Sequence, residues 1–155
     1  PTSAVSDNPE LPDSKSFINN SVSKFMERRC GSLDCHGQRG RPLRIYSEWG
    51  LRLEPGQDGQ HDKGPTTDKE KLENYYAVVG LEPENLAKCF AQDTAGDFTT
   101  FQLLKKPLSI ENGGIRHKGG PVLGQNQNDR GWKCLYGWAC GQDFSKDDCE
   151  AASTL

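Results

Sequence analysis

Apolar side chains recur at helical spacing in five short blocks of this chain and thin out between them. Phe17, Ile18, Val22, Phe25 and Met26 fall three or four apart, behind Ser14 or Ser16 as a cap, and predict a helix over about residues 15–29. Thr67 and Glu70 have the spacing of a capping box ahead of Leu72, Tyr75, Tyr76 and Val79, predicting a second helix that stops at Gly80. Pro83 suits the first turn of a third, with Leu86, Cys89 and Phe90 on one side. A short helix is expected ahead of Pro107, and a last one behind Asn128 or Asp129, with Trp132, Leu135, Tyr136 and Ala139 facing inward. Period-two alternation is confined to residues 41–53, which suggest a short extended piece.

Between these blocks lie long polar stretches. Residues 54–66 and 109–127 are rich in glycine and read as loops. The first 13 residues hold three prolines and little apolar matter, so a flexible N-terminal tail is expected at 1–13, a helical domain at 14–149 and a C-terminal tail at 150–155. The expected class is all-α, with short helices joined by loops long enough to need something to wrap around.

Composition sharpens that need. Only 33% of residues are hydrophobic, and mean hydropathy is -0.80. Such a chain calls for crosslinks, a metal or a buried cofactor, and it has six cysteines. Net charge is -3, so no nucleic-acid footprint is expected. No apolar run approaches membrane-spanning length and no signal peptide is visible. The chain opens at Pro1, which suggests a processed product, a lipid-anchored precursor being one source. An even, scattered cysteine set favours an oxidising compartment.

The candidate chemistry sits in "RRCGSLDCHGQRG", residues 28–40. Cys30 and Cys35 are five apart and His36 follows directly. The pair could close a small disulfide loop, but His36 is then unexplained. Zinc wants four ligands in paired spacings, and no second knuckle appears. Covalent haem needs two thiols with a His directly after the second, so that its imidazole falls beneath the iron. The usual spacer is two residues; here it is four. A sixth ligand would come from Met26, His61 or His117. Met26 shares the helix of Cys30 and reaches the same side. His117 lies in "GGIRHKGGPVL", where glycines crowd it as they would where backbone approaches a flat ring, and is the favoured ligand, with His61 the alternative. Arg39, Arg41 and Arg116 are candidate partners for a haem propionate. Removing the haem pair leaves four cysteines with three pairings; the polar return between Cys140 and Cys149 favours that bridge, and Cys89–Cys134 is then the other.

Three stretches, "FMERRCGSLDCHG", "LLKKPLSIENGGIRHKGGPVL" and "DRGWKCLYGWACG", resemble the helix-and-attachment motif, the distal-ligand loop and the closing helix of single-haem c-type cytochrome domains. The likeness is to divergent cytochrome c-like domains of exported bacterial proteins and lipoproteins, over about residues 15–141. It implies a small helical fold around one covalent haem c, with thioether bonds at Cys30 and Cys35, proximal ligation by His36 and distal ligation by His117. It also implies electron transfer with redox partner proteins rather than enzymatic turnover, in the periplasm, at the outer membrane or outside the cell, alone or as a subunit of a larger assembly. The competing expectations are a haem-free, disulfide-stabilised extracellular binding or structural module, and a peroxidase-like haem enzyme with an open sixth position. Phe17, Phe25, Leu33, Tyr75, Leu103, Leu104, Leu123 and Trp132 are the candidate walls of the cofactor cleft.

Overall fold

The computed structural model describes residues 11–54, 64–91, 101–142 and 145–154. Among them are seven α-helices and no named strand: α1 (Ser14–Asn19), α2 (Val22–Cys30), α3 (Asp68–Leu81), α4 (Pro83–Phe90), α5 (Gln102–Lys105), α6 (Arg130–Ala139) and α7 (Lys146–Ser153). No helix among the described residues is long and apolar enough to cross a membrane.

The helix expected over 15–29 is two helices. Asp13, not Ser14 or Ser16, caps the first, accepting from the Ser16 amide at 2.7 Å. Ser21 takes a left-handed conformation (φ 66°) and breaks the run. Its hydroxyl donates to Glu150 on α7 at 3.0 Å, a contact that fixes the kink and lies 129 residues away in sequence. The capping box of α3 forms as expected: Thr67 Oγ1 accepts from the Glu70 amide and Glu70 accepts from the Thr67 amide.

Aromatic residues build the centre. Phe17 lies 5.1 Å from Trp138 and 5.8 Å from Tyr75, centroid to centroid, in tilted arrangements that suit ring quadrupoles. The polar edges of these rings are also satisfied, Trp138 Nε1 donating to Ser16 Oγ and the Tyr75 hydroxyl to the Pro12 carbonyl. Leu11, Pro12 and Asp13 thus belong to the folded body rather than to a tail.

Residues 41–53 form no strand. One carboxamide takes the place of a strand partner: Asn74, buried on α3, accepts from the Tyr46 amide at 2.7 Å and donates to the Tyr46 carbonyl at 2.8 Å. Arg52 and Glu70 form a buried two-pronged ion pair with bonds of 3.0 and 2.8 Å, and Arg52 also donates to the Gly64 and Pro65 carbonyls. Both ends of the 54–66 stretch are held there.

The cysteine pairing differs from expectation. Cys89 bonds Cys140 and Cys134 bonds Cys149; neither Cys140–Cys149 nor Cys89–Cys134 forms. The reason is a helix that the polar tail conceals. Residues 146–153 form α7, which packs along α6 and α2 and carries Cys149 back to Cys134 in the middle of α6. Cys140, at the C-cap of α6, is left to meet Cys89 on α4. The folded body accordingly runs to Ser153, past the boundary expected at 149.

Candidate functional site

α2 ends at Cys30, and the chain then closes on itself. The His36 amide donates to the Cys30 carbonyl at 2.8 Å, and the Cys35 and Gly37 amides both donate to the Ser32 carbonyl. The four-residue spacer is thereby accommodated in a compact loop. Residues 45–51 clamp it from outside: Ser47 Oγ donates to the Gly31 carbonyl at 2.6 Å, and Leu33 N–H to the Trp49 carbonyl at 3.3 Å. A side chain at Gly31 would collide with Ser47 and the Glu27 carbonyl.

His117 arrives from the other side on a tight turn. The Gly120 amide donates to the His117 carbonyl at 2.9 Å, with Gly120 at φ +73°. A Cβ on Gly119 would lie 3.2 Å from the His117 ring, so glycine is what lets backbone pass that close. The turn is moored by Leu123 N–H to the Pro107 carbonyl and by Arg29 Nε to the Val122 carbonyl at 3.4 Å.

The two loops bring the rings of His36 and His117 close together with nearly parallel planes. Their ring centroids are 6.2 Å apart and their planes differ by 12°. Two metal–imidazole bonds of about 2 Å each, plus the two ring radii of about 1 Å, span roughly 6 Å. The tautomers match that spacing. His36 Nδ1–H donates to the Leu43 carbonyl at 2.8 Å and His117 Nδ1–H to the Gly120 carbonyl at 3.2 Å, so each Nε2 keeps a free lone pair. Burial lowers the pKa of His36, the Leu43 carbonyl opposing, while His117, Arg41 and Lys106 push the same way as burial. A neutral imidazole is the form that can ligate.

A cavity of about 260 Å³ adjoins the pair, lined by both histidines, Cys30, Cys35 and a largely apolar wall that includes Met26, Leu43, Leu103, Leu123 and Leu135. It has room for an organic ring system, since a water molecule occupies about 30 Å³. Cys30 and Cys35 are free thiols, unlike the other four cysteines. Burial pushes the Cys30 thiol up to about 12, Cys35 adding to the rise and Arg29 opposing it, so the group is a protonated thiol rather than a thiolate. Among the described residues no three His, Cys, Asp or Glu converge as a metal cage, so the thiols are not placed as ligands beside the imidazoles. This donor set suits a planar ligand that brings its own equatorial donors.

Of the expected walls, Leu103 and Leu123 line the cavity. Phe17, Phe25, Tyr75, Leu104 and Trp132 belong to the core instead, and Leu33 is 57% exposed. Among the arginines, Arg39 and Arg116 are exposed and off the lining. Arg41 acts electrostatically on His36, and its Nε is buried with no hydrogen-bond partner. Arg41 too is off the lining, though Pro42 and Leu43, which follow it, are on it; its orphaned guanidinium nitrogen is a candidate partner for a carboxylate that enters with a ligand. Sequence reasoning missed Arg29, Lys106 and the Leu43 carbonyl. Arg29 could have been found from its place directly before Cys30; nothing in the sequence signals which carbonyl will hold His36. His61 lies outside the described residues, and Met26 lines the cavity from α2.

No family model, curated protein or solved structure matches the chain.

Proposed function

We propose that the protein is a single-haem c-type electron carrier with bis-histidine ligation, exported to an oxidising compartment. The observation that carries this reading is the near-parallel His36–His117 pair at 6.2 Å, beside a cavity lined by two unpaired thiols. Haem, when bound, supplies a one-electron iron couple. In this reading Cys30 and Cys35 hold its edge through thioether bonds, and His36 and His117 hold the iron from opposite faces. Leu103, Leu123, Leu135 and Met26 exclude water, which keeps the surroundings of the ring apolar. Arg41 offers its buried Nε to a propionate.

The axial arrangement favours carrier over catalyst. Both candidate ligands donate Nδ1–H to backbone carbonyls, so two oriented imidazoles would be available to an iron held between them. The two disulfides agree with an oxidising compartment such as the periplasm or the cell exterior.

A pyridine haemochrome spectrum of the purified protein, read with the mass of the acid-denatured chain, tests the proposal. The expected result is a c-type spectrum and one haem mass retained on the polypeptide. Colourless protein with Cys30 bonded to Cys35 would overturn it.

A further inference from the structure

His36 and His117 make a pair before any prosthetic group arrives. Each ring is oriented through its own Nδ1, His36 at 2.8 Å from the Leu43 carbonyl and His117 at 3.2 Å from the Gly120 carbonyl. Each therefore keeps an unprotonated Nε2 for a second bond. The centroids are 6.2 Å apart and the planes 12° from parallel. Two metal–nitrogen bonds of about 2 Å and two ring radii of about 1 Å account for that gap with one cation and nothing else. Among the described residues no third His, Cys, Asp or Glu completes a metal-holding group. Two imidazoles on backbone-anchored loops are thus a donor set in their own right.

Ligand number and charge select the ion. Structural Zn²⁺ takes four ligands, Ca²⁺ and Mg²⁺ take shells of oxygen, and Cu²⁺ prefers a tetragonal set of nitrogen and oxygen. Cu⁺ has a filled d shell and is satisfied by two neutral nitrogens in line. Charge points the same way. Arg29 and Lys106 line the cavity, and Arg41 acts on His36. Glu82 is the one carboxylate on the lining, and it is engaged by the Gln102 and Leu103 amides and the Asn85 side chain. Positive neighbours and a largely apolar wall oppose a divalent ion far more than a monovalent one, because repulsion grows with charge and lost hydration with its square. The sulfur atoms at the cavity, on Met26, Cys30 and Cys35, are soft and equally poor company for a hard cation. Burial keeps Cys30 a protonated thiol, which leaves the imidazoles as the readier donors.

We propose that in the haem-free chain His36 and His117 form a two-coordinate site for monovalent copper. The site stands on two nitrogens and does not need the haem reading. A haem iron would use the same two nitrogens, so the two occupants exclude each other, and copper-loaded chain cannot take haem until the ion leaves.

The test is an anaerobic titration of the full chain carrying Cys30→Ser and Cys35→Ser with Cu⁺, in competition with the chromophoric chelator bicinchoninate. Without those thiols no thioether bond forms, so any haem can be extracted, and no thiolate competes for the metal. One Cu⁺ per chain is expected. Its X-ray absorption edge should report two nitrogen neighbours at about 2 Å and no sulfur. In that background His36→Ala and His117→Ala should each raise Kd by about tenfold or more. His117→Met should recover most of the affinity, since a thioether also ligates Cu⁺. Both histidines are half-buried on loops, so their variants are expected to fold, and the far-ultraviolet spectrum checks that they do. Zn²⁺ at equal concentration should not displace the copper. No uptake by the folded protein, a Kd unmoved by either alanine variant, a sulfur or third ligand at the metal, or displacement by Zn²⁺ would each overturn the proposal. Haem is read separately, on the chain with its thiols intact. If that chain is colourless while the double variant binds Cu⁺, the copper site stands and the haem reading falls; a haem-bearing chain whose double variant takes no Cu⁺ gives the reverse.

Discussion

At Asn74 one side chain satisfies both backbone groups of Tyr46. Asn74→Ala should leave a buried N–H and C=O without partners and cost about 2–4 kcal/mol, measured by urea denaturation. Glu70 makes a different kind of contact. Burial alone would raise its pKa, but the Arg52 hydrogen bonds, the Thr67 and Leu53 amides and the Arg52 charge bring it down to about 2. A carboxylate depressed on folding stabilises above its unfolded pKa, and that stability is lost as pH falls through the folded value. The Arg52–Glu70 contribution should therefore be full above about pH 5 and vanish towards pH 2, a total on the order of a few kcal/mol. Glu70→Gln should flatten that part of the stability–pH curve. At the proposed iron site, His117→Met should retain covalent haem and raise the reduction potential by on the order of a tenth of a volt, a fraction of the range axial ligands span. Redox titration reads it, and an unchanged potential and spectrum would remove His117 as ligand.

Helices that were legible in the sequence are those whose ends carry their own instructions. Thr67 and Glu70 start α3, and Pro83 starts α4, with contacts only three or four residues long. Where the instruction is tertiary, the pattern misleads. Phe17 to Met26 keeps helical spacing across Ser21, yet Ser21 takes a left-handed conformation there and its hydroxyl reaches Glu150 on α7. α7 itself has few apolar positions and is held by the Cys134–Cys149 bond and by packing on α2 and α6, so periodicity alone reads it as a tail. The crossing of α2 and α6 depends on Gly131, where a Cβ would press into the Leu123 carbonyl and lie 3.3 Å from the Phe25 ring. Gly131→Ala should cost about 1–3 kcal/mol by overpacking, seen as a lowered Tm. Because Leu123 also lines the cavity, the same change should disturb the site.

Across the whole molecule, the composition suggests a chain that cannot build a centre without a cofactor, and the fold modifies that view. Phe17, Tyr75, Trp132 and Trp138 are buried off the cavity lining, in a core cluster that continues into the cavity wall at Met26, Leu103, Leu123 and Leu135, and two disulfides tie α6 to α4 and α7. Large aromatic side chains compensate for the low hydrophobic fraction, since each removes far more apolar surface from water than an aliphatic one. Protein prepared without haem is accordingly expected to keep this core. Hydrogen exchange should find α3 and α6 protected and the 31–43 and 114–122 loops exposed to exchange, with haem slowing the loops alone. Removing the Cys89–Cys140 bond, which joins residues 51 apart, should cost about 4 kcal/mol by loop entropy, and the Cys134–Cys149 bond, 15 apart, about 3 kcal/mol. Denaturant titrations of Cys-to-Ser pairs would rank them.

The sequence by itself determined the helical class and the α3 and α4 starts, and it singled out Cys30, Cys35, His36 and His117 as candidates. Those depend on residue type and on partners a few positions away. Tertiary structure alone decided that His36 and His117, eighty-one positions apart, meet with parallel rings, and that Arg29 rather than Arg39, Arg41 or Arg116 lines the cavity. It also decided which cysteines pair. Such juxtapositions are set by how α2, α5 and α6 pack and by which backbone carbonyls are left to accept from each imidazole. Both are properties of the closed chain in space, and no local pattern of residues encodes them.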